Sequence, residues 1–181
     1  MTGISNKATN RLFILVSIVL ITALIIPGTV LAGQDSKAPG SSDPLLSSNP
    51  LLQSFNTPGQ TPPFDQIKPE HYIPALQYAI SLENGEIDTI VKNNAQPTFA
   101  NTIEALDRSG ELVARISAIL FALNAAETNP ALQKAATDAS LLLAAHSNDI
   151  SFNQALFARI EKVYKTADRS KLTPEQRTLL E

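Results

Sequence analysis

The chain has only two histidines, His71 and His146, and these are its first candidates for metal binding or acid–base chemistry. They lie far apart in the sequence, and neither has a second histidine four positions away. The motif His-Glu-x-x-His, which holds zinc between two imidazoles on one helical face, is therefore absent. We predict no catalytic, cofactor-binding or metal-binding residue in this chain.

Both histidines have a structural interpretation. His71 stands beside Tyr72 in the first turn of a predicted helix, where both rings can pack against the following helix or cap the helix start. His146 falls in the predicted last turn of an Ala- and Leu-rich helix, where an imidazole meets free carbonyl groups favourably by roughly 0.3–1 kcal/mol. We expect these structural roles for both rings.

Other catalytic arrangements are missing from the sequence. With no cysteine, the chain cannot form disulfides, thiolate metal sites or a cysteine nucleophile. No Gly-x-Ser-x-Gly elbow and no phosphate-binding glycine loop occurs. The carboxylates of the first half form no convincing catalytic pair, and we interpret them as solvated faces and first-turn acids: Asp65, Glu70, Glu83, Glu86, Asp88 and Glu104.

The charge distribution argues against nucleic-acid binding. All 17 acidic residues follow residue 32, whereas two of the 14 basic residues, Lys7 and Arg11, precede it. The rest of the chain is therefore mildly acidic and lacks the concentrated basic face that phosphates require.

The amino terminus has the pattern of an export signal. Lys7 and Arg11 precede an apolar run over 12–26, and a Pro-Gly breaker and a small-residue triplet ending at Ala32 follow. This order is typical of a secretory signal peptide, so we predict cleavage after Ala32 and a periplasmic or cell-envelope location. An uncleaved membrane anchor over 12–32 is the less favoured alternative, because the breaker interrupts it and no charged stop-transfer cluster follows. We expect membrane contact only through this segment.

Residues 33–63 are rich in Pro, Ser and Gly and predict a flexible or extended lead. Two Leu-Leu pairs, at 45–46 and 51–52, are predicted to dock on the body that follows, although a tether between membrane and enzyme fits equally well. The predicted organisation is a signal peptide over 1–32, this lead, and a helical lobe over 64–181.

The helical lobe is predicted from apolar residues that recur at three- and four-residue spacing. No stretch alternates with period two, so the fold class is all-α, an antiparallel helical bundle. The last start signal, Thr173-Pro174-Glu175-Gln176, is followed by only five residues, from which we expect a chain cut inside an element at its carboxyl end. Helix starts are predicted at Pro69, at Thr98 after Pro97, at Asn129-Pro130, at a Ser151/Gln154 capping box and at Thr173-Pro174.

Five stretches in order carry a resemblance: 62–75, 97–106, Ser109-Gly110, Thr128-Asn129 and 156–160. Together they resemble the opening of the thimet-oligopeptidase family of zinc metallopeptidases, and within it the bacterial peptidyl-dipeptidases. The resemblance runs over roughly residues 55–181 and includes no catalytic motif.

That resemblance implies a two-lobed, almost entirely helical peptidase built around a deep channel for short peptides. The family's zinc lies on a His-Glu-x-x-His helix far downstream, which has no counterpart here, so the resemblance implies an amino-terminal, non-catalytic lobe that forms a wall of the channel. Zinc, the oligopeptide substrates and the release of carboxyl-terminal dipeptides would belong to the complete family member through its catalytic lobe. Candidates for orienting the wall, each expected to stabilise the fold, are His71, Tyr72, Phe99, Asn101 and Thr102.

Two other hypotheses stay open at this point. The chain could be a free-standing helical module of the cell envelope that binds peptides or a partner protein. It could also be an envelope-tethered protein, held by an uncleaved helix over 12–32 with 33–63 as spacer.

Overall fold

The structure, a computed structural model, describes residues 48–180, and over this range the chain is all-helical with no strand. The all-α prediction is confirmed for these residues. The predicted export segment and its cleavage after Ala32 lie outside them, and the predicted domain boundaries stay predictions.

Six α-helices follow one another along the described chain. A π-helical segment, Phe99–Glu104, runs directly into the second of them. Short 3-10 turns occupy Pro50–Leu52, Pro58–Gln60 and Arg169–Lys171. The helices are α1 (Pro69–Val91), α2 (Ala105–Arg108), α3 (Glu111–Ala126), α4 (Pro130–Ser151), α5 (Gln154–Thr166) and α6 (Pro174–Leu179).

The main core lies where α1, α3 and α4 pack on one another. Each of these helices contributes apolar side chains three or four positions apart, which places them on one face. Buried members of this core include Tyr72, Leu76, Ala79, Ile116, Leu120, Leu132 and Ala139. Two smaller clusters join α5 to its neighbours: Ile87, Ile90 and Leu156 in one, and Phe99, Ile103, Val163 and Leu180 in the other.

The packed core begins ahead of residue 64. Leu51 is fully buried in the main core and Leu52 packs against it, so the docking predicted for this Leu-Leu pair is confirmed. The Asn49 side chain donates a hydrogen bond to the carbonyl oxygen of His71 at 2.8 Å. Arg115 donates to the carbonyl oxygen of Leu51 at 2.9 Å. These bonds hold an otherwise irregular segment against α1 and α3.

The helix predicted to begin after Pro97, with a glycine at its middle, is divided in the structure. Its first part is π-helical, Ser109 is extended, and Gly110 adopts the left-handed conformation with φ of 67°. Glycine adopts this conformation without the steric penalty of a Cβ atom, so the break falls here.

The helix caps in the structure test two further predicted helix starts. The capping box predicted at Ser151 is wrong, because α4 continues to Ser151 and the cap of α5 is Asn153, whose side chain accepts from the Leu156 amide at 3.0 Å. The box at Thr173 is confirmed, since its hydroxyl accepts from the Gln176 amide and the Gln176 side chain accepts from the Thr173 amide.

One stretch, Phe99–Ala126, is long and apolar enough to cross a membrane by length and composition alone. The break at Gly110 leaves α3, which at 16 residues is about 24 Å long and shorter than a hydrocarbon core of about 30 Å. Its buried side chains, among them Ile116 and Leu120, pack in the main core.

Candidate functional site

A buried imidazole–carboxylate pair joins α1 to α4. His146 Nε2 lies 2.9 Å from Glu83 Oε2, and the two side chains are 6% and 12% exposed. The expected helix-end role of His146 is wrong, because α4 continues five residues beyond it and the ring points into the fold. The interpretation of Glu83 as a solvated carboxylate is also wrong. A buried carboxylate needs a partner, and this histidine supplies it.

The same carboxylate abuts the break between α2 and α3. A Cβ atom added to Gly110 would overlap the Glu83 carboxylate, so a side chain at this position would have to displace the carboxylate as well as adopt a left-handed backbone. One turn further along α1, the carboxylate of Glu86 accepts from the Gly110 amide at 2.9 Å. Two glutamates of α1 therefore fix the start of α3, and one of them also holds α4. We call Glu83, Glu86, Gly110 and His146 the polar joint.

An open cleft of about 270 Å³ lies above the polar joint, between α1 and α3. Its walls carry both signs of charge, with Arg108 and Arg115 opposite carboxylates. Arg115 is already bound to the Leu51 carbonyl oxygen, and its guanidinium carbon lies 4.9 Å from the centre of the Phe55 ring. The Arg115 side of the cleft is therefore engaged in contacts within the fold.

His71 serves a different end of the molecule. Its Nδ1 accepts from the Lys68 amide at 3.1 Å, which caps the start of α1 as one of its predicted roles requires. His71 and Glu83 are twelve positions apart on α1, about 18 Å along the axis. The two imidazoles therefore cannot bind one ion together.

The described residues do not fit the zinc centre that the resemblance implies. No group of three or more His, Asp or Glu side chains able to hold a metal ion occurs within 48–180.

The predicted wall-orienting residues divide into two groups. Tyr72 is fully buried in the main core, and burial raises the pKa of its phenol. Its hydroxyl has no hydrogen-bond partner within residues 48–180. His71, described above, caps α1. Phe99, Asn101 and Thr102 lie in the π-helical segment. There Phe99 and Thr102 are buried, and Asn101 accepts bonds from the Thr98 amide at 2.8 Å and the Thr102 hydroxyl at 2.9 Å. All of them pack within or cap the fold.

Arg159 fastens the loop between α1 and the π-helical segment. Its guanidinium donates to the carbonyl oxygen of Asn93 at 2.6 Å and contacts the carbonyl oxygen of Ala95 and the side chain of Asn101 at 3.5 Å. This residue lies in the 156–160 stretch that carried the resemblance, and sequence reasoning gave it no role. Its loop-fastening function depends on a tertiary contact that spacing alone does not predict.

Fold and site together define an all-helical segment whose polar residues fix helix ends and junctions. No protein-family model matches the chain. Individual curated proteins, by contrast, do match the chain. The predicted resemblance is confirmed, because over part of its length the chain is homologous to peptidases.

The chain is 45% identical over 120 residues to dipeptidyl carboxypeptidase of Salmonella typhimurium, which covers 66% of this chain and 18% of that protein. It is 39% identical over 137 residues to dipeptidyl carboxypeptidase of Escherichia coli, covering 76% of this chain and 20% of the relative. Oligopeptidase A of Salmonella typhimurium is 29% identical over 109 residues, or 60% of this chain and 15% of the relative. The matches thus span about a fifth of these relatives or less.

Proposed function

We propose that this chain forms the amino-terminal, non-catalytic lobe of an exported zinc peptidyl-dipeptidase, which releases dipeptides from the carboxyl ends of oligopeptides. The observation that carries the proposal is the 45% identity to a dipeptidyl carboxypeptidase over 120 residues. In this lobe the helices, arranged as an antiparallel bundle, form a wall of the substrate channel.

The polar joint supports a scaffolding role. It ties α1, the start of α3 and α4 together through side chains that are buried or held by the backbone. A channel wall must keep its shape while peptides enter and leave, and buried polar contacts specify one packing arrangement more sharply than apolar contacts do. The catalytic zinc and its ligands belong to the other lobe.

A chimera tests the proposal directly. In it, the segment of the Salmonella dipeptidyl carboxypeptidase that matches this chain is replaced by the corresponding residues of this chain. We expect release of dipeptides from a blocked tetrapeptide, and loss of that activity with a chelator. A folded, zinc-loaded chimera without activity would contradict the proposal.

The full chain assayed alone gives the complementary result. With added zinc and the same tetrapeptide we expect no turnover, because the ligand set for zinc lies elsewhere. Chelator-sensitive hydrolysis by the chain alone would show that the chemistry has been misplaced.

Export is the second part of the proposal and rests on the pattern over residues 1–32. Expressed in a bacterial host, the chain should acquire a new amino terminus at Gly33, which intact-mass measurement detects. Retention of the full mass in the membrane fraction would favour the uncleaved anchor instead.

A further inference from the structure

The residues ahead of α1 fold into a short turn of their own. Asn49 and Pro50 start this 3-10 turn, and the Asn49 side chain accepts from the Leu51 amide at 3.0 Å. Asparagine followed by proline is a favoured start, because the side chain satisfies an otherwise free amide. Two amide-to-carbonyl bonds of 3.1 and 3.3 Å then close the turn between residues 49 and 53. The turn is therefore held locally, and we call residues 49–55 the clasp.

Two buried residues, Asn49 and Leu51, anchor the clasp to the helices. Leu51 is fully buried in the main core, and Asn49 donates to the carbonyl oxygen of His71 at 2.8 Å. Arg115 of α3 donates to the Leu51 carbonyl oxygen at 2.9 Å, and its guanidinium carbon lies 4.9 Å from the centre of the Phe55 ring. The other clasp residues are exposed or half-buried. A segment anchored in this way exposes much less apolar surface on leaving the core than a helix does, so it can open at a lower free-energy cost.

The loop that joins the clasp to α1 is suited to act as a hinge. The Thr57 hydroxyl donates to the carbonyl oxygen of Thr61, and the Thr61 hydroxyl donates to that of Pro58. The tip of the loop is exposed, and Gly59 and Gln60 both have a positive φ, of 68° and 56°. A glutamine in this backbone conformation is strained, so releasing one end of the loop relieves strain.

Arg115 has a second partner within reach when the clasp leaves. Glu111 lies four residues earlier on α3, about 6 Å along the axis, and a carboxylate four positions ahead of a cation is the order that favours an ion pair. Both side chains line the cleft above the polar joint, together with Glu86. The guanidinium can therefore exchange a carbonyl oxygen and a ring for a carboxylate, and its charge keeps a partner in both states.

We propose that the clasp is a conformational device that docks on and leaves the helical core while α1, α3 and α4 stay packed. In the closed state Leu51 fills the core and Arg115 holds its carbonyl oxygen. In the open state Arg115 turns to Glu111, and an apolar site is exposed where Leu51 lay. The polypeptide ahead of the clasp is joined to the core at this point, so forces or binding events on it act first on this equilibrium.

The chain has no cysteine, so a single introduced thiol reports on this opening. One variant of the full chain carries Leu51→Cys, and its matched control carries Leu120→Cys, since both leucines are fully buried in the main core. With a maleimide in native buffer, we expect the thiol at position 51 to react about a hundredfold faster than the thiol at position 120, at a rate that changes little at low urea concentrations. Equal rates with equal urea dependence would overturn the proposal, because the clasp would then open only with global unfolding.

Substitutions in the cleft, made in the Leu51→Cys background, test the part assigned to Arg115. Arg115→Gln should raise the labelling rate about tenfold, because it removes the bond to the carbonyl oxygen and the contact with the Phe55 ring. Arg108→Gln, in the same cleft, is the control and should leave the rate unchanged. Glu111→Gln should lower the rate about twofold, since the open state loses its ion pair. An Arg115→Gln rate no higher than the Arg108→Gln rate would contradict the exchange of partners.

Hydrogen exchange followed by NMR applies the test to the unmodified chain, in which no substitution has weakened the clasp. The amide of Leu51 should exchange about tenfold faster than that of Leu120, although the two side chains are equally buried. Exchange of both amides at one common rate would show that clasp and helix open together, and the proposal would be wrong.

Discussion

Replacing His146 with alanine tests whether the polar joint stabilises this fold. The substitution removes the imidazole that lies 2.9 Å from Glu83 Oε2 and leaves the carboxylate without its partner. The Glu83 side chain is only 12% exposed and is also packed against Gly110, so it cannot turn freely into solvent. The cost therefore combines a lost hydrogen bond, an unsatisfied carboxylate and the space left by the ring.

These contributions set the expected loss in the free energy of unfolding. A hydrogen bond to a charged group contributes about 1.5–3 kcal/mol, and breaking a fully buried pair costs about 3–5 kcal/mol. Because water reaches Glu83 at one edge, we expect the free energy of unfolding to fall by about 2–3 kcal/mol. That is a large part of the stability of a domain of this size, which is typically about 5–15 kcal/mol.

The chain supplies its own control in His71, the only other histidine. His71→Ala removes one capping bond at the exposed start of α1 and should cost about 1 kcal/mol or less. Both variants are measured by urea denaturation followed by circular dichroism, with equal slopes required for the comparison. If His146→Ala is no more destabilising than His71→Ala, the joint contributes little and our reasoning is refuted.

A double-mutant cycle separates the pair from the rest of the site. Glu83→Gln keeps the shape of the side chain and can still bond a neutral imidazole, so alone it should cost about 1 kcal/mol. Combined with His146→Ala, it should cost less than the sum of the single changes by about 1 kcal/mol. Additive losses would mean that the two side chains do not interact in solution.

Four other substitutions test the remaining features. Gly110→Ala should destabilise the chain by about 2 kcal/mol or more in the same denaturation experiment, because the left-handed backbone and the adjacent carboxylate both oppose a Cβ atom; a neutral result would contradict the close approach. Tyr72→Phe should raise the free energy of unfolding by about 1 kcal/mol, since it removes a buried hydroxyl without a partner in the described chain. Because burial raises the pKa of Tyr72 in the folded state, stability should fall as pH rises past the unfolded value of about 10, and this fall should shrink in Tyr72→Phe. Asn153→Ala should cost about 1 kcal/mol and Ser151→Ala only a few tenths, and the reverse order would restore the capping box predicted from sequence.

The helices were largely predictable because their signals are local. Proline at a first position identified the starts of α1, α4 and α6, with an amide or hydroxyl cap before it in α4 and α6, and these starts agree with the structure. Where two capping residues stood close together, at Ser151 and Asn153, sequence alone favoured the wrong one. The choice depended on how far α4 continued, which packing of Ile150 against Leu156 helps to set.

The polar joint was not predicted from the sequence, although its two central residues stand at inward positions of their helices. Glu83 lies four residues after Ala79 and four before Ile87, both buried on the inward side of α1. His146 similarly follows Ala139 by seven positions on α4. A carboxylate and an imidazole at inward positions of two helices predict a buried pair, but only if it is known which helices face each other. That pairing of elements is a tertiary fact that periodicity does not contain.

The stretches that carried the resemblance acquire a physical explanation from the structure. Thr98 and Asn101 form the capping box of the π-helical segment, and Asn129 caps α4. Ser109-Gly110 forms the left-handed break, and Arg159 fastens the loop after α1. These residues fix where a helix begins or ends and in which direction the chain enters or leaves it.

Under the proposed function, a lobe that holds a channel wall in place depends on those junctions more than on any reactive side chain. Packed helices tolerate many apolar substitutions, whereas a displaced cap or a lost left-handed residue redirects everything that follows. This explains how a segment without a metal-ligand cluster in residues 48–180 can resemble a peptidase so clearly. It also predicts that substitutions at the junctions will disturb the chimera's activity through geometry, with zinc content unchanged.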